Sequence, residues 1–276
     1  MAYSVSRVKT PARQCLALRE RTLLTWLTAW PSAALTADRQ DAANSVRRSA
    51  LLAGKALLGV SVLAAAGNFG VVQRLVTDGD APRTANDIIA AQTTFGLGII
   101  ALFVVVVLDI IVARALRAFF APARPRLAAV AAWLRISYAA VFAVAISQLV
   151  AALSRLHNAR HVTGSAIGQR DTRALHNIQA FQNIWRVSLV VFGLHLVLIG
   201  YLAYRSGYTP RGLGVLLAVA GVGYLVDSFG GILSNTYSVN VSAVTFVGEA
   251  LFLVWLLVKG RRISDTASPP NELASS

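Results

Sequence analysis

The sequence predicts an all-α polytopic membrane protein, about six transmembrane helices in a bundle. Three observations carry that prediction. Hydrophobic residues make up 56% of the 276 positions and charged residues only 14%, where a soluble domain carries about a quarter charged. Several stretches are apolar on every face for about 20 residues, the length a helix needs to cross a bilayer. The arginines cluster between those stretches, as orientation signals do. In a soluble protein the net charge of +14 would point to nucleic acid. Here it reads as membrane topology, and no nucleic-acid partner is expected. The single cysteine, Cys15, excludes an intramolecular disulfide and a cysteine-based metal site.

Residues 1–49 are basic, interrupted by Pro11 and Pro31, and read as a mobile or interfacial tail. Within it, LALRERTLLTWLTAW interleaves leucine and tryptophan with arginine, a pattern suited to a helix lying on a membrane surface. Val46, just before Arg47-Arg48, reads as an alternative start position, with the preceding tail then an over-extended gene start. The apolar patch from Leu23 to Leu35 is too short to span and carries no convincing cleavage site. Six spans follow within a transmembrane domain over residues 50–260: Ala50 to Val72, Phe95 to Leu116, Ala128 to Leu153, Trp185 to Tyr204, Leu213 to Leu233 and the short Val244 to Val258. Residues 261–276 read as a disordered tail. The glycines in these runs are expected to let helices approach closely. Gly96-x-Gly98 has no phosphate-loop context and carries no weight.

With both termini cytoplasmic, most of the 26 lysines and arginines fall on the cytoplasmic side, as the positive-inside rule requires. The stretch from Gln73 to Thr94, with Asp78, Asp80 and Asp87, suits the outside. The stretch from Ser154 to Ile184 carries Arg155, Arg160, Arg170 and Arg173 and reads as a basic outer loop, against the rule. A bacterial inner membrane is the expected location.

The segment FGLHLVLIGYLAYRSGYTPRGLGVLLAVAGVGYLVDSF, residues 192–229, has a helix with Gly193, His195 and Gly200. A turn Tyr204-Arg205-Ser206-Gly207-Tyr208 with Pro210 follows, then a helix from Gly212-Leu213-Gly214 to Gly223-Tyr224-Leu225-Val226-Asp227. This hairpin resembles the bacterial membrane family called domain of unknown function 4386. Asp109 in the second span, Trp133-Leu134-Arg135 opening the third, and Glu249 before Trp255 to Gly260 extend the resemblance to about residues 47–260. The family often has an acid one turn after the arginine, where this chain has Tyr138. The N-terminal 46 residues and the Arg- and His-containing stretch also depart from its usual forms. The resemblance implies a polytopic bacterial membrane protein and no particular activity.

An ionisable side chain inside a bilayer is costly unless paired or hydrated, so each one marks a candidate site. Lys55 lies near a span end and can snorkel to the headgroups. Asp109 and Arg135 lie at matching depths on consecutive spans, and are expected to form a buried structural ion pair. Asp227 and Glu249 are placed at similar depth near the outer side, with His195 on the preceding span as a third member. Two carboxylates in low dielectric cannot both stay ionised unless a cation lies between them. His195, Asp227 and Glu249 are thus the candidate ligand or ion site, or else a hydrogen-bonded polar core.

His157 and His161 are spaced i, i+4, but no carboxylate or cysteine at ligand spacing supports a metal. They and His176 read as solvated loop histidines. No metal and no cofactor are expected, and catalytic residues stay unassigned, with no nucleophile elbow or phosphate loop present. Three function classes remain: an integral membrane protein of unassigned role, a small-solute or proton/cation transporter using His195, Asp227 and Glu249, and a membrane-embedded enzyme. The first is the primary reading and an enzyme the least favoured. Lipid is the obligatory partner, a small molecule or ion is the ligand such a cluster would take, and no oligomeric state is specified.

Overall fold

The computed structural model describes residues 44–157, 165–233, 241 and 246–260, and all described secondary structure is helical. Helix α1 (Asn44–Leu75) winds as a π-helix over Ala65–Val72. It is followed by α2 (Ala81–Ala90), α3 (Gln92–Phe120), α4 (Pro125–His157), α5 (Ser165–Arg205), α6 (Arg211–Leu233) and α7 (Val247–Val258). The protein is a multi-pass membrane protein. Five helices, α1 and α3 to α6, are long and apolar enough to cross a bilayer. The sixth expected span, α7, has 12 described residues, about 18 Å of helix, short of the roughly 30 Å hydrocarbon core. The N-terminal tail to residue 43, with its surface-helix segment, and the tail from 261 lie outside the described residues.

Two stretches expected as loops are largely helical. The stretch from Gln73 to Thr94 contains α2, which opens on two start signals: Asp80 accepts a hydrogen bond from the Arg83 amide, and Pro82 occupies the first turn. Thr84, Ala85 and Ile88 form its buried face. The described residues of the stretch from Ser154 to Ile184 belong to the last turn of α4 and the first half of α5. At 41 residues, α5 is about 60 Å long, twice the hydrocarbon thickness. Its polar half folds because Ala174, Leu175, Ile178 and Phe181 recur at helical spacing and are buried. A search for continuously apolar spans passes over such an amphipathic run.

Successive helices from α3 to α6 pack as neighbours, α2 rests chiefly on α5, and α7 packs on α6. The far end of α7 meets α1: a Cβ at Gly54 would lie 2.9 Å from Leu257, and one at Gly260 would lie 3.0 Å from Ala50. The π-helical part of α1 packs on α3, where Gly98 faces Val71.

Helices α5 and α6 meet backbone to backbone at two levels. A Cβ on Gly200 would come within 2.6 Å of the Ala218 nitrogen and the Gly214 oxygen, and one on Gly221 within 2.6 Å of the Gly193 oxygen. Only glycine allows two backbones this close. The turn joining the two helices passes through Gly207 at φ +79°, a left-handed conformation that glycine adopts at no steric cost. Tyr208 then ties the turn to α3: its hydroxyl donates to the Phe119 carbonyl at 2.6 Å, and the two rings meet edge-on at 5.1 Å. Burial pushes the Tyr208 hydroxyl well above the usual phenol range, which keeps it a donor at ordinary pH. On the outer faces Leu97, Val104 and Val107 of α3 and Val215, Val222 and Phe229 of α6 are exposed. Apolar surface of this extent contacts lipid.

Candidate functional site: a charged junction at mid-bundle

Asp109, Arg135 and His195 meet inside the bundle, and none exceeds 3% exposure. The helix ends explain the meeting. Asp109 lies eleven residues before the end of α3, Arg135 ten after the start of α4, and His195 ten before the end of α5. These ends fall on one face of the bundle because the connections are short. All three residues therefore sit about 15 Å in from that face by helical rise.

Arg135 donates to one oxygen of Asp109, from Nε at 3.0 Å and from Nη2 at 2.6 Å. Its Nη1 donates to His195 Nε2 at 3.3 Å, and His195 Nδ1 lies 2.8 Å from the Ala131 carbonyl. The partners fix the imidazole. A guanidinium only donates and a carbonyl only accepts, so the ring proton is on Nδ1 and Nε2 offers its lone pair. Phe192 covers the guanidinium, its ring centre 5.4 Å from the Arg135 carbon, a cation–π contact. Tyr138 and Tyr224 pack against the same ring at 4.9 and 5.3 Å. Tyr138, buried, lies one turn after the arginine on the same helix.

Glu249 belongs to this junction. Its carboxyl lies within electrostatic reach of Arg135 and Asp109 and beside the Tyr224 hydroxyl. Gly248 fixes its level, since a Cβ there would lie 2.6 Å from the Leu216 oxygen. Asp227 is eleven residues further along α6 than Leu216, about 16 Å of helix. The sequence placed Asp227 and Glu249 at one depth; the structure starts α7 deep in the bundle and brings Glu249 toward Arg135 instead. Asp227 is half-buried and accepts a hydrogen bond from the Val241 amide at 2.9 Å. Tyr224 interacts electrostatically with both carboxylates, more strongly with Glu249.

Two carboxylate oxygens in this junction are buried without a hydrogen-bond partner: Asp109 Oδ2 and Glu249 Oε1. Nearby, Trp185 Nε1 is a buried donor in the same condition, in a ring cluster with Phe142 and Phe181. Counted from helix ends rather than from the ends of apolar runs, the sequence would have put His195 beside Arg135. Tyr224 is marked in the sequence only as part of the 223–227 motif, and nothing there signals Trp185. Outside the junction, Lys55 is exposed on α1 and His176 on α5, while His157 contacts Gln92. His161 lies outside the described residues. No cluster of three or more potential metal ligands occurs among the described residues.

Residues 52–260 match the family described as Domain of unknown function (DUF4386). An uncharacterized protein of Archaeoglobus fulgidus is 32% identical over 172 residues, 62% of this chain and 89% of the relative. That relative carries the likeness beyond bacteria. No solved structure matches the chain.

Proposed function

The chain belongs to the DUF4386 family, and we propose that it acts as a small-solute or proton/cation transporter whose mid-membrane junction takes up and releases one proton or one monovalent cation. The observation that carries this reading is the pair of buried, unpartnered oxygens on Asp109 and Glu249. The charges around them do not balance. Arg135 supplies one positive charge, His195 is neutral in its tautomer, and the two carboxylates supply two negative charges. A low-dielectric interior does not hold the surplus, so one more positive charge is needed there. Asp109 already takes two hydrogen bonds from Arg135, so Glu249 is the carboxylate that exchanges its proton or ion. Tyr224 links Glu249 toward Asp227 and the far end of α6, which supplies a direction for movement. Half-length helices and intramembrane carboxylates are familiar parts of transport sites.

The basic residues support a topology with both termini cytoplasmic, in a bacterial inner membrane. Arg117, Arg124, Arg126, Arg205, Arg211 and Lys259 lie at the bundle face nearest the junction, as the positive-inside rule would have it. Arg124 and Arg211 lie over the rings of Tyr201 and Tyr204 at that face.

The test is ion movement in liposomes holding the purified protein and a pH-sensitive dye, with sodium and potassium supplied in turn. Wild type should dissipate an imposed proton or cation gradient. Glu249→Gln should cut the flux at least tenfold and leave helix content unchanged. Equal flux in the two proteins removes Glu249 from the mechanism.

A further inference from the structure

A second site lies at the other end of the bundle. Where α2, the start of α3, the end of α4 and the polar half of α5 converge, there is a half-open cleft of about 310 Å³, within the size range of small-molecule sites. Its walls are Ile88, Ile89, Leu153 and Leu156, and its polar groups are Gln92, His157 and Arg170. Gln92 lies seventeen residues from Asp109 along α3, about 25 Å of helix, so the cleft is separate from the charged junction.

The polar groups are already oriented. Asp171, 4% exposed, accepts from Arg170 Nε at 2.7 Å and pairs with Nη2 at 2.7 Å. That occupies one edge of the guanidinium and leaves the Nη1–Nη2 edge, the fork that takes a carboxylate with two parallel hydrogen bonds. The Gln92 amide nitrogen contacts His157 Nδ1; an amide N–H donates, so the imidazole proton is on Nε2. Among the described residues no acidic side chain lines the cleft. Polar donors and four branched aliphatic side chains in one cleft suit a molecule with an oxyanion head and a short apolar chain.

We propose that this cleft binds an oxyanion, carboxylate or phosphate, bearing a short hydrocarbon chain, its head on Arg170 and His157 and its chain along Ile88, Ile89, Leu153 and Leu156. At the rim of the bundle the same chemistry reaches the site from two sources, a free carboxylate or the headgroup of an anionic lipid.

Calorimetric titration of hexanoate into the full chain in zwitterionic nanodiscs tests the proposal, with empty nanodiscs as reference. Hexanoate should bind saturably, and hexanol and hexylammonium should not. Arg170→Gln should weaken binding at least tenfold. Ile89→Trp, at a position 44% exposed and therefore tolerant of a larger side chain, should block it by filling the wall. Repeating the titration with phosphatidylglycerol in the nanodisc separates the sources: tenfold weaker apparent binding identifies the lipid headgroup as occupant, and unchanged binding identifies a free carboxylate. Absence of saturable hexanoate binding, equal binding of hexanol, or unchanged binding in both variants overturns the proposal. The readout is binding, so it stands or falls apart from the ion-flux result.

Discussion

The α5–α6 seam and the charged junction hold the same bundle together by opposite means. At the seam, Gly193, Gly200, Gly214 and Gly221 bring two backbones into contact by having no side chains. At the junction, Asp109, Arg135 and His195 join three helices through long polar side chains that would be costly alone. The seam therefore tolerates no addition and the junction no subtraction. In lipid neither can rely on the hydrophobic effect between helices, because the surrounding tails are as apolar as leucine.

The sharpest way to break the comparison is to add atoms at the seam. Gly200→Leu drives a side chain into the Ala218 nitrogen and Gly214 oxygen. Backbone cannot move aside as a flexible side chain can, so the cost should exceed the ~1–3 kcal/mol of ordinary overpacking. The variant should lose its folded, monodisperse form in detergent. Gly212→Ala is the internal standard, since a Cβ there meets nothing within 4 Å. Equal behaviour of the two would mean that the close approach is not what holds α5 to α6.

Subtraction at the junction comes next in size. Arg135→Leu leaves the Asp109 carboxylate buried and alone, a loss of about 3–5 kcal/mol for buried pairs of this kind. Replacing both Asp109 and Arg135 by leucine removes the stranded charge and should recover most of that loss, read as the midpoint of unfolding in detergent. Equal destabilisation in the single and double variants would show that the pair is not the relevant unit. His195 then becomes informative. With Arg135 gone, its Nε2 loses a donor, so Arg135→Leu with His195→Phe should behave better than Arg135→Leu alone.

The two regions also differed in how far the sequence disclosed them. Close packing of Gly193, Gly200, Gly214 and Gly221 follows from small residues recurring in apolar runs, a local signal. The helices themselves were legible for the same reason, except where they leave the membrane. There the polar half of α5 and all of α2 are amphipathic rather than uniformly apolar, and a hydropathy scan reads them as loops. The junction depends on depth. Depth estimated from the edges of apolar runs pairs Asp109 with Arg135 as the structure does, but it sets His195 of α5 with Asp227 and Glu249 instead of beside Arg135. Glu249 was hardest to place, because its level depends on where α7 begins, and α7 begins beside Leu216 rather than level with Asp227.

Tyr208 connects the two regions and gives the smallest expected effect. It follows Gly207 in the turn that closes the glycine seam, and its hydroxyl reaches the Phe119 carbonyl at the end of α3, the helix that carries Asp109. Tyr208→Phe keeps the ring and its edge-on contact with Phe119 and deletes only that hydrogen bond. The expected loss is about 1 kcal/mol, the net contribution of one such bond, seen as a small drop in unfolding midpoint with no change in ion flux. A fall in flux from this variant would show that the seam and the junction are coupled, with the α5–α6 turn setting the position of α3 and therefore of Asp109 against Arg135. Unchanged flux would show that the junction keeps its geometry through its own three side chains, and that the seam serves only to hold α6 in place.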